Sequence, residues 1–317
     1  MKILIITPAP PTSRSGNRVT ALRWARLLKQ LGHRVAIRQS YSGQRCDIAI
    51  VLHARRSARS VRRIRDERPQ LPLILALTGT DLYHDIHRSK SARRSLELAD
   101  RLVLLQPHGR RELPAKLRRK VRVIHQSVQP PRRRPCPLKT VFEVCVIGHL
   151  RPVKDPFRLA MAVRGLPESS RIRVTHLGGA LTRTMQLRAI AEMQRNPRYR
   201  WLGELPHWKT MRHLARSRLL VLTSKMEGGA NVVSEAITTS VPVVSTRISG
   251  SIGLLGEDYP GYFEFGDTRG LTELLQRLET DATFYNHLSS CCRRLRYLFE
   301  PAFERETWKS VLAEFGG

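Results

Sequence analysis

The chain has 317 residues, 41% of them apolar, and 56 Lys and Arg against 26 Asp and Glu give it a formal net charge of +30. That length and apolar share exclude a single small module or a disordered tail, and point to two domains with ordinary cores. Aromatic residues make up only 6% and are not interleaved with the basic runs, so the stacking platforms of a nucleic-acid reader are missing.

The positive charge is mostly arginine and is spread along the chain, with clusters such as Arg55-Arg56, Arg118-Arg119-Lys120, Arg132-Arg133-Arg134 and Arg293-Arg294. A polyanionic partner and a solvated arginine-rich surface both account for this. With no zinc-finger or RRM spacing, the solvated surface is preferred and no nucleic acid is expected. The five cysteines, Cys46, Cys136, Cys145, Cys291 and Cys292, are odd in number and lack metal-ligand spacing. A reduced, cytoplasmic protein without a bound metal is the simplest reading.

The first apolar run, Ile3 to Ile6, is too short for a signal segment and ends before Pro8. It reads as a buried first strand, and no run approaches a membrane span. Strands are expected over 2–7, 34–38, 48–52, 73–77, 101–105 and 121–124, with helices over 19–31, 57–68, 92–98 and 108–113. The strand segments are rich in Val, Ile and Leu without strict alternation, as in a parallel sheet buried on both faces. This is a doubly wound α/β pattern.

Two loops of this half carry polar groups. After the first strand, residues 8–20 form a long polar stretch with Gly16 before a helix, and bear Arg14, Asn17, Arg18 and Thr20. Its backbone amides and cations suit an anion. After 73–77, Thr78-Gly79-Thr80-Asp81-Leu82-Tyr83-His84 brings Thr78, Thr80 and His84 to the same sheet edge; a helix cap by Thr80 or Asp81 is the competing reading.

Gln129-Pro130-Pro131-Arg132-Arg133-Arg134-Pro135-Cys136-Pro137 continues neither strand nor helix and reads as a linker, dividing the chain into domains 1–134 and 135–300. A second alternating series follows, with strands over 142–147, 173–177, 199–202, 219–223, 241–245 and 262–265. Helices are expected over 157–164, 181–194, 208–216, 232–239, 269–279, 283–297 and 303–315. Two such domains place a ligand cleft at the C-terminal edges of their strands.

The second domain holds the most informative segment, Glu227-Gly228-Gly229-Ala230-Asn231-Val232-Val233-Ser234-Glu235-Ala236. It lies between two strand patterns, and its small residues lead into a helix. That order sets backbone N–H groups where a phosphate sits, with Glu227 and Glu235 beside it to hold sugar hydroxyls. Taken singly, Glu227 is equally a solvated loop residue, and Glu235 a first-turn carboxylate favoured by the helix dipole. The loop Gly148-His149-Leu150-Arg151-Pro152-Val153-Lys154 follows a strand and carries two cations. Arg151 and Lys154 suit a diphosphate and would stabilise the charge that builds on it as it leaves.

On the spacing of Glu227 and Glu235, the Gly148–Lys154 loop, Leu202-Gly203-Glu204-Leu205-Pro206 and Val241-Pro242-Val243-Val244-Ser245-Thr246, the chain resembles the retaining GT-B glycosyltransferases of family four. The resemblance implies a UDP-sugar donor. Glu227 would contact donor-sugar hydroxyls. The N–H groups of Gly229, Ala230, Asn231 and Val232, with Gly228 in the same loop, would hold the sugar and the distal phosphate, and Glu235 would hold the ribose hydroxyls. Gly203, Glu204 and Leu205 would hold the base through backbone groups, with Gly16 facing the diphosphate. His149 departs from the family, where arginine is common, and Arg151 compensates. Catalysis would rest on Arg151, Lys154 and Glu227, without a metal or other cofactor. The segment 301–317 would pack back at the domain junction.

Gly16-Asn17-Arg18-Val19-Thr20-Ala21-Leu22-Arg23-Trp24-Ala25 with Leu77-Thr78-Gly79-Thr80-Asp81-Leu82-Tyr83 is similar to the selenosugar synthases of selenoneine biosynthesis. That resemblance implies UDP-N-acetylglucosamine as donor and selenophosphate as acceptor, joined through a C–Se bond. A pre-ionised acceptor suits a loop set rich in cations and lacking an obvious general base. Arg14, Asn17, Arg18, Thr20, Thr78, Thr80 and His84 would bind it. The competing expectation is a lipid or polysaccharide acceptor at a membrane surface, which asks for a basic helix with exposed apolar residues in the first domain.

Overall fold

The computed structural model describes residues 1–13, 15–129, 135–138 and 140–316. Arg14 and most of the proline–arginine linker lie outside the described residues. The chain divides into two compact units: residues 1–127, 227–229 and 300–317 form the first, and residues 128–226 and 230–299 the second.

The first unit contains β1 (Lys2–Ile6), β2 (Arg34–Arg38), β3 (Ile48–Leu52), β4 (Leu73–Leu77), β5 (Arg101–Leu104) and β6 (Val121–Val123). They form one parallel sheet in the order β2-β1-β3-β4-β5-β6. Alternate residues of a strand feed opposite faces. Leu4, Ile6, Ala49 and Val51 pack on one side with Val61, Ile64 and Leu96. Ile3, Ile5, Ile48 and Ile50 pack on the other with Trp24, Leu28, Trp308 and Leu312. This two-sided burial is why the strands read as unbroken apolar runs.

The helix Gly16–Gln30 buries Thr20, Ala21, Trp24, Ala25, Leu27 and Leu28, a stripe at helical spacing. Trp24 meets Trp308 of the helix Pro301–Ala313 edge to face, with ring centroids 4.9 Å apart. That last helix therefore belongs to the first unit although the chain reaches it from the second.

The second unit contains β7 (Phe142–Ile147), β8 (Ile172–Leu177), β9 (Tyr199–Trp201), β10 (Leu219–Leu222), β11 (Val243–Thr246) and β12 (Tyr262–Phe263). They form a parallel sheet in the order β12-β11-β10-β7-β8-β9. In both sheets the strand order reverses beside the first strand, between β1 and β3 and between β7 and β10. A crevice opens outside the C-terminal ends of such strand pairs.

Several boundaries differ from the sequence expectation. The units change at Ser127–Val128, not at 134. Val128 is buried in the second core, and its N–H donates to Phe299 O at 2.9 Å, so composition alone marks the linker too late. β11 starts at Val243, after Pro242, which has no N–H to give to the ladder. Where a helix was expected over 108–113, the chain forms a 3₁₀ segment over Pro107–Glu112. A helix over Ser249–Leu255 and a π-helical turn over Asp81–Asp85 were not expected. Two glycines hide the first from propensity, and no periodicity announces the second. No helix among the described residues is long and apolar enough to cross a membrane.

Candidate functional site

In the second unit, the loop after β7 is held rigidly at the strand-order reversal. Gly148 N donates to Leu177 O at 2.8 Å, continuing the β7–β8 pairing past the strand end. The Gly148 carbonyl accepts from His176 Nε2 at 3.1 Å, and His176 Nδ1 lies 2.9 Å from Tyr199 Oη. Burial pushes the His176 imidazole down to about 4, so it is neutral near pH 7. Nε2–H then donates to Gly148 O, and Nδ1 accepts from the Tyr199 hydroxyl. A Cβ on Gly178 would overlap the Gly148 carbonyl, so this position, with φ +147°, requires glycine.

Arg151 is exposed and Lys154 half-buried on the same loop. Thr223 Oγ1, at the end of β10, donates to Lys154 O at 2.8 Å and reaches Asp155 O at 3.0 Å. Lys225 N donates to Val153 O at 2.9 Å. The loop bearing both cations is thus tied to the chain leaving β10, across the switch between β7 and β10. Two cations on a loop fixed through its backbone can neutralise a phosphate-class anion without reorganising.

His149, at the position where an arginine was the expected residue type, accepts from Gly179 N at Nδ1, 3.1 Å away. A neutral His149 therefore carries its proton on Nε2 and offers a neutral donor in place of a charge. At the neighbouring turn, Gly203 O accepts from Gly178 N at 2.8 Å, Glu204 is exposed and Leu205 packs against the core edge.

The helix Asn231–Thr238 starts after Ala230, which has no side chain to accept from the first-turn N–H groups. Asn231 and Val232 are half-buried at its start. Glu235 is its fifth residue, beyond the first turn, so a dipole-favoured first-turn carboxylate is not its explanation. Its side chain is only 13% exposed, and Oε1 lies 3.9 Å from His207 Nδ1.

Glu227, Gly228 and Gly229 group with the first unit. Glu227 is half-buried. Gly228 is buried, and a Cβ there would overlap the Thr78 carbonyl; one on Gly229 would lie 2.6 Å from Leu105 Cβ. Both glycines therefore have a packing requirement within that unit.

The N-terminal residues sort into two groups. Gly16 is exposed, while Asn17 and Arg18 are half-buried in the first turn of their helix. Arg18 Nε is shielded from solvent and has no hydrogen-bond partner among the described residues, a donor open to a ligand. Thr20 is a correction: it is 2% exposed, and its Oγ1 accepts from Gln126 Nε2 at 2.6 Å, which removes it from any acceptor-binding surface. Arg14 lies outside the described residues.

At the end of β4, the Asp81 carboxylate is buried and accepts from Thr78 N and Gly79 N, both at 2.9 Å, and from Ala54 N at 3.0 Å. Asp81 thus ties the loop after β4 to the loop after β3. Thr80 makes no capping bond; its hydroxyl lies 3.4 Å from His53 Nε2. His84 is half-exposed and pairs with Asp85 Oδ1 at 3.2 Å, where Arg55 Nη1 also lies at 3.2 Å.

His53 is the residue that sequence reasoning overlooked. It follows β3 directly, is 3% exposed and has a left-handed backbone at φ +73°. Burial lowers its pKa, opposed by the nearby Asp81 charge. A polar residue placed straight after a wholly apolar strand at the switch point was the available signal.

The sequence pattern described as Glycosyl transferases group 1 matches residues 133–293, just over half of the 317-residue chain. Among solved structures, the fold is similar to HepE of Anabaena in complex with UDP, with a TM-score of 0.78 at 15% identity over 99% of this chain and 100% of that one. Sucrose-phosphate synthase of Thermosynechococcus elongatus matches with a TM-score of 0.77 at 14% identity over 99% and 98%. A glycosyltransferase from Rickettsia africae matches with 0.75 at 14% over 99% and 98%. The two six-stranded parallel sheets with flanking helices are those of the GT-B fold, and the chain belongs to the group 1 glycosyl transferase family.

Proposed function

We propose that this glycosyltransferase takes its sugar from a UDP-sugar, UDP-N-acetylglucosamine in particular, and transfers it to selenophosphate. Selenium attacks the anomeric carbon, the C–Se bond forms, and the bond to the UDP oxygen breaks with its electron pair leaving on the diphosphate. The observation that carries the donor half is the fixed Gly148–Lys154 loop with Arg151 and Lys154 at the end of β7. These cations would neutralise the leaving diphosphate, so no divalent metal is assigned to the step. The first-turn amides of the helix at Asn231 would face the distal phosphate, Glu235 the ribose hydroxyls and Glu227 the sugar. Gly203 to Leu205 would hold the base, and His149 would donate through Nε2. UDP in the structure of the Anabaena relative supports the nucleotide.

The acceptor reading rests on the similarity of residues 16–25 and 77–83 to selenosugar synthases. Arg18, whose shielded Nε is unpaired among the described residues, together with Asn17, Thr78, Thr80 and His84, would neutralise and aim a small anion. Such a nucleophile is ionised at neutral pH and requires no strong general base.

One observation favours a second reading, a membrane-associated acceptor. On the helix Gly16–Gln30, Val19 and Leu22 are 39% and 49% exposed, beside exposed Arg26 and Lys29. The discriminating assay follows UDP release from UDP-N-acetylglucosamine with selenophosphate, thiophosphate, soluble sugars or anionic lipid vesicles present. Selenophosphate alone should accelerate release strongly. Acceleration only by vesicles supports the second reading, and no release with any acceptor refutes both.

A further inference from the structure

A buried histidine in a left-handed backbone conformation is an unusual choice. Glycine or asparagine takes φ +73° more readily. Such positions persist where the surroundings hold them, and they cluster at functional sites. His53 sits at the C-terminal end of β3, beside the switch between β1 and β3.

The contacts of its ring define which nitrogen carries the proton. Arg56 N donates to His53 Nδ1 at 3.3 Å, so in the neutral ring Nδ1 is the acceptor and Nε2 bears the hydrogen. Nε2 lies 3.4 Å from Thr80 Oγ1 and 4.0 Å from Asp85 Oδ2, and Nδ1 lies 4.0 Å from Asp81 Oδ2. Nε2–H therefore donates to Thr80 Oγ1. The Thr80 hydroxyl has then accepted on its inner side, and its own hydrogen is left to donate from an exposed residue. Asp81 fixes the backbone that leads up to this residue, since it binds the Thr78 and Gly79 amides. Asp85 holds Arg55 Nη1, and the Arg55 side chain is 58% exposed, so its remaining N–H groups face solvent.

We propose that His53 is a positioning residue that orients the Thr80 hydroxyl as a donor to a small tetrahedral oxyanion of the phosphate class, bound at the ends of β3 and β4 with Arg55 alongside. The inference rests on the reading that the first unit binds an anionic acceptor. His53 itself does not touch the anion. It acts through Thr80, and a purely structural histidine would hold only the Arg56 amide.

The test uses the full chain and the variants H53N, T80A, T80S and H53N/T80A. Asparagine tolerates the left-handed backbone and can accept from Arg56 N, but it does not reach Thr80. Binding of inorganic thiophosphate is measured by calorimetry, alongside KM for selenophosphate, KM for the UDP-sugar and the melting temperature. H53N and T80A should each weaken thiophosphate binding and raise the selenophosphate KM about tenfold, while donor KM and melting temperature stay unchanged. T80S, which keeps the hydroxyl, should stay within about twofold of wild type. The double variant should be no worse than T80A alone, because both remove one interaction. Wild-type binding in H53N, equal losses from H53N with and without Thr80, or no thiophosphate binding by the wild type would overturn the inference. Thr80-dependent thiophosphate binding without any sugar transfer to selenophosphate would sink the proposed reaction and leave this site standing. Transfer to selenophosphate with KM untouched in H53N and T80A would do the reverse.

Discussion

His176 Nε2 lies 3.1 Å from the carbonyl oxygen of Gly148, and this contact joins a buried, neutral imidazole to the loop that carries Arg151 and Lys154. The strand end is thereby held from beneath by a side chain that meets no solvent.

Acidification should loosen this contact. The His176 pKa falls to about 4 on folding, from an ordinary 6.5, because burial disfavours the charged ring. In the unfolded chain the ring takes up its proton first as pH drops, so the unfolded state binds more protons between pH 6.5 and 4. The contribution is full above about pH 6.5 and is lost toward pH 4, by at most about 3 kcal/mol. Melting temperatures of wild type and H176Q at pH 7 and pH 5 check this. The glutamine variant keeps a donor and should lose less on acidification than wild type, with His125 and the other buried histidines still titrating in both.

The C-terminal helix is anchored by a second buried group. Glu304 is fully buried and accepts from Trp24 Nε1 at 2.8 Å and from Ser127 N at 2.7 Å. E304A leaves two buried donors without partners and should cost about 3 kcal/mol in chemical denaturation. E304Q, which keeps one acceptor, should cost about half as much.

Arg151 and Lys154 are proposed to act on the leaving group. R151A and K154A should each lower kcat by about a hundredfold, with a smaller change in donor KM, since they act on charge that develops in the transition state. T223V, which removes the bond to Lys154 O, should show a weaker form of the K154A effect. Steady-state kinetics with varied donor measures both.

Glu235 is assigned to ground-state binding of the nucleotide. E235A should raise donor KM about tenfold or more with kcat little changed, whereas E227A should lower kcat. The reverse pattern would exchange their roles.

Much of this was legible in the sequence because the physics is local. The strands over 48–52, 73–77 and 142–147 announced themselves as apolar-rich runs, since both sheet faces are buried there. The loop at Gly148 and the pair Glu227 and Glu235 showed through their spacing to a strand end and a helix start. What did not show depends on distant contacts. Thr20 reads as a polar loop-end residue until Gln126, far along the chain, claims its hydroxyl. His53 reads as one more polar residue until the fold turns its backbone left-handed and brings Thr80 to its ring. The return of the helix Pro301–Ala313 to the first unit follows from the Trp24–Trp308 contact, which no local pattern encodes.

The central claim is the transfer of a sugar from UDP to selenium. Mass spectrometry of a reaction with UDP-N-acetylglucosamine and selenophosphate tests it most directly, because the isotope pattern of selenium marks its product. UDP and a selenium-bearing N-acetylglucosamine species should form in equal amounts, both about a hundredfold more slowly in K154A. UDP formed without any selenium-bearing sugar, or no UDP at all, would contradict it.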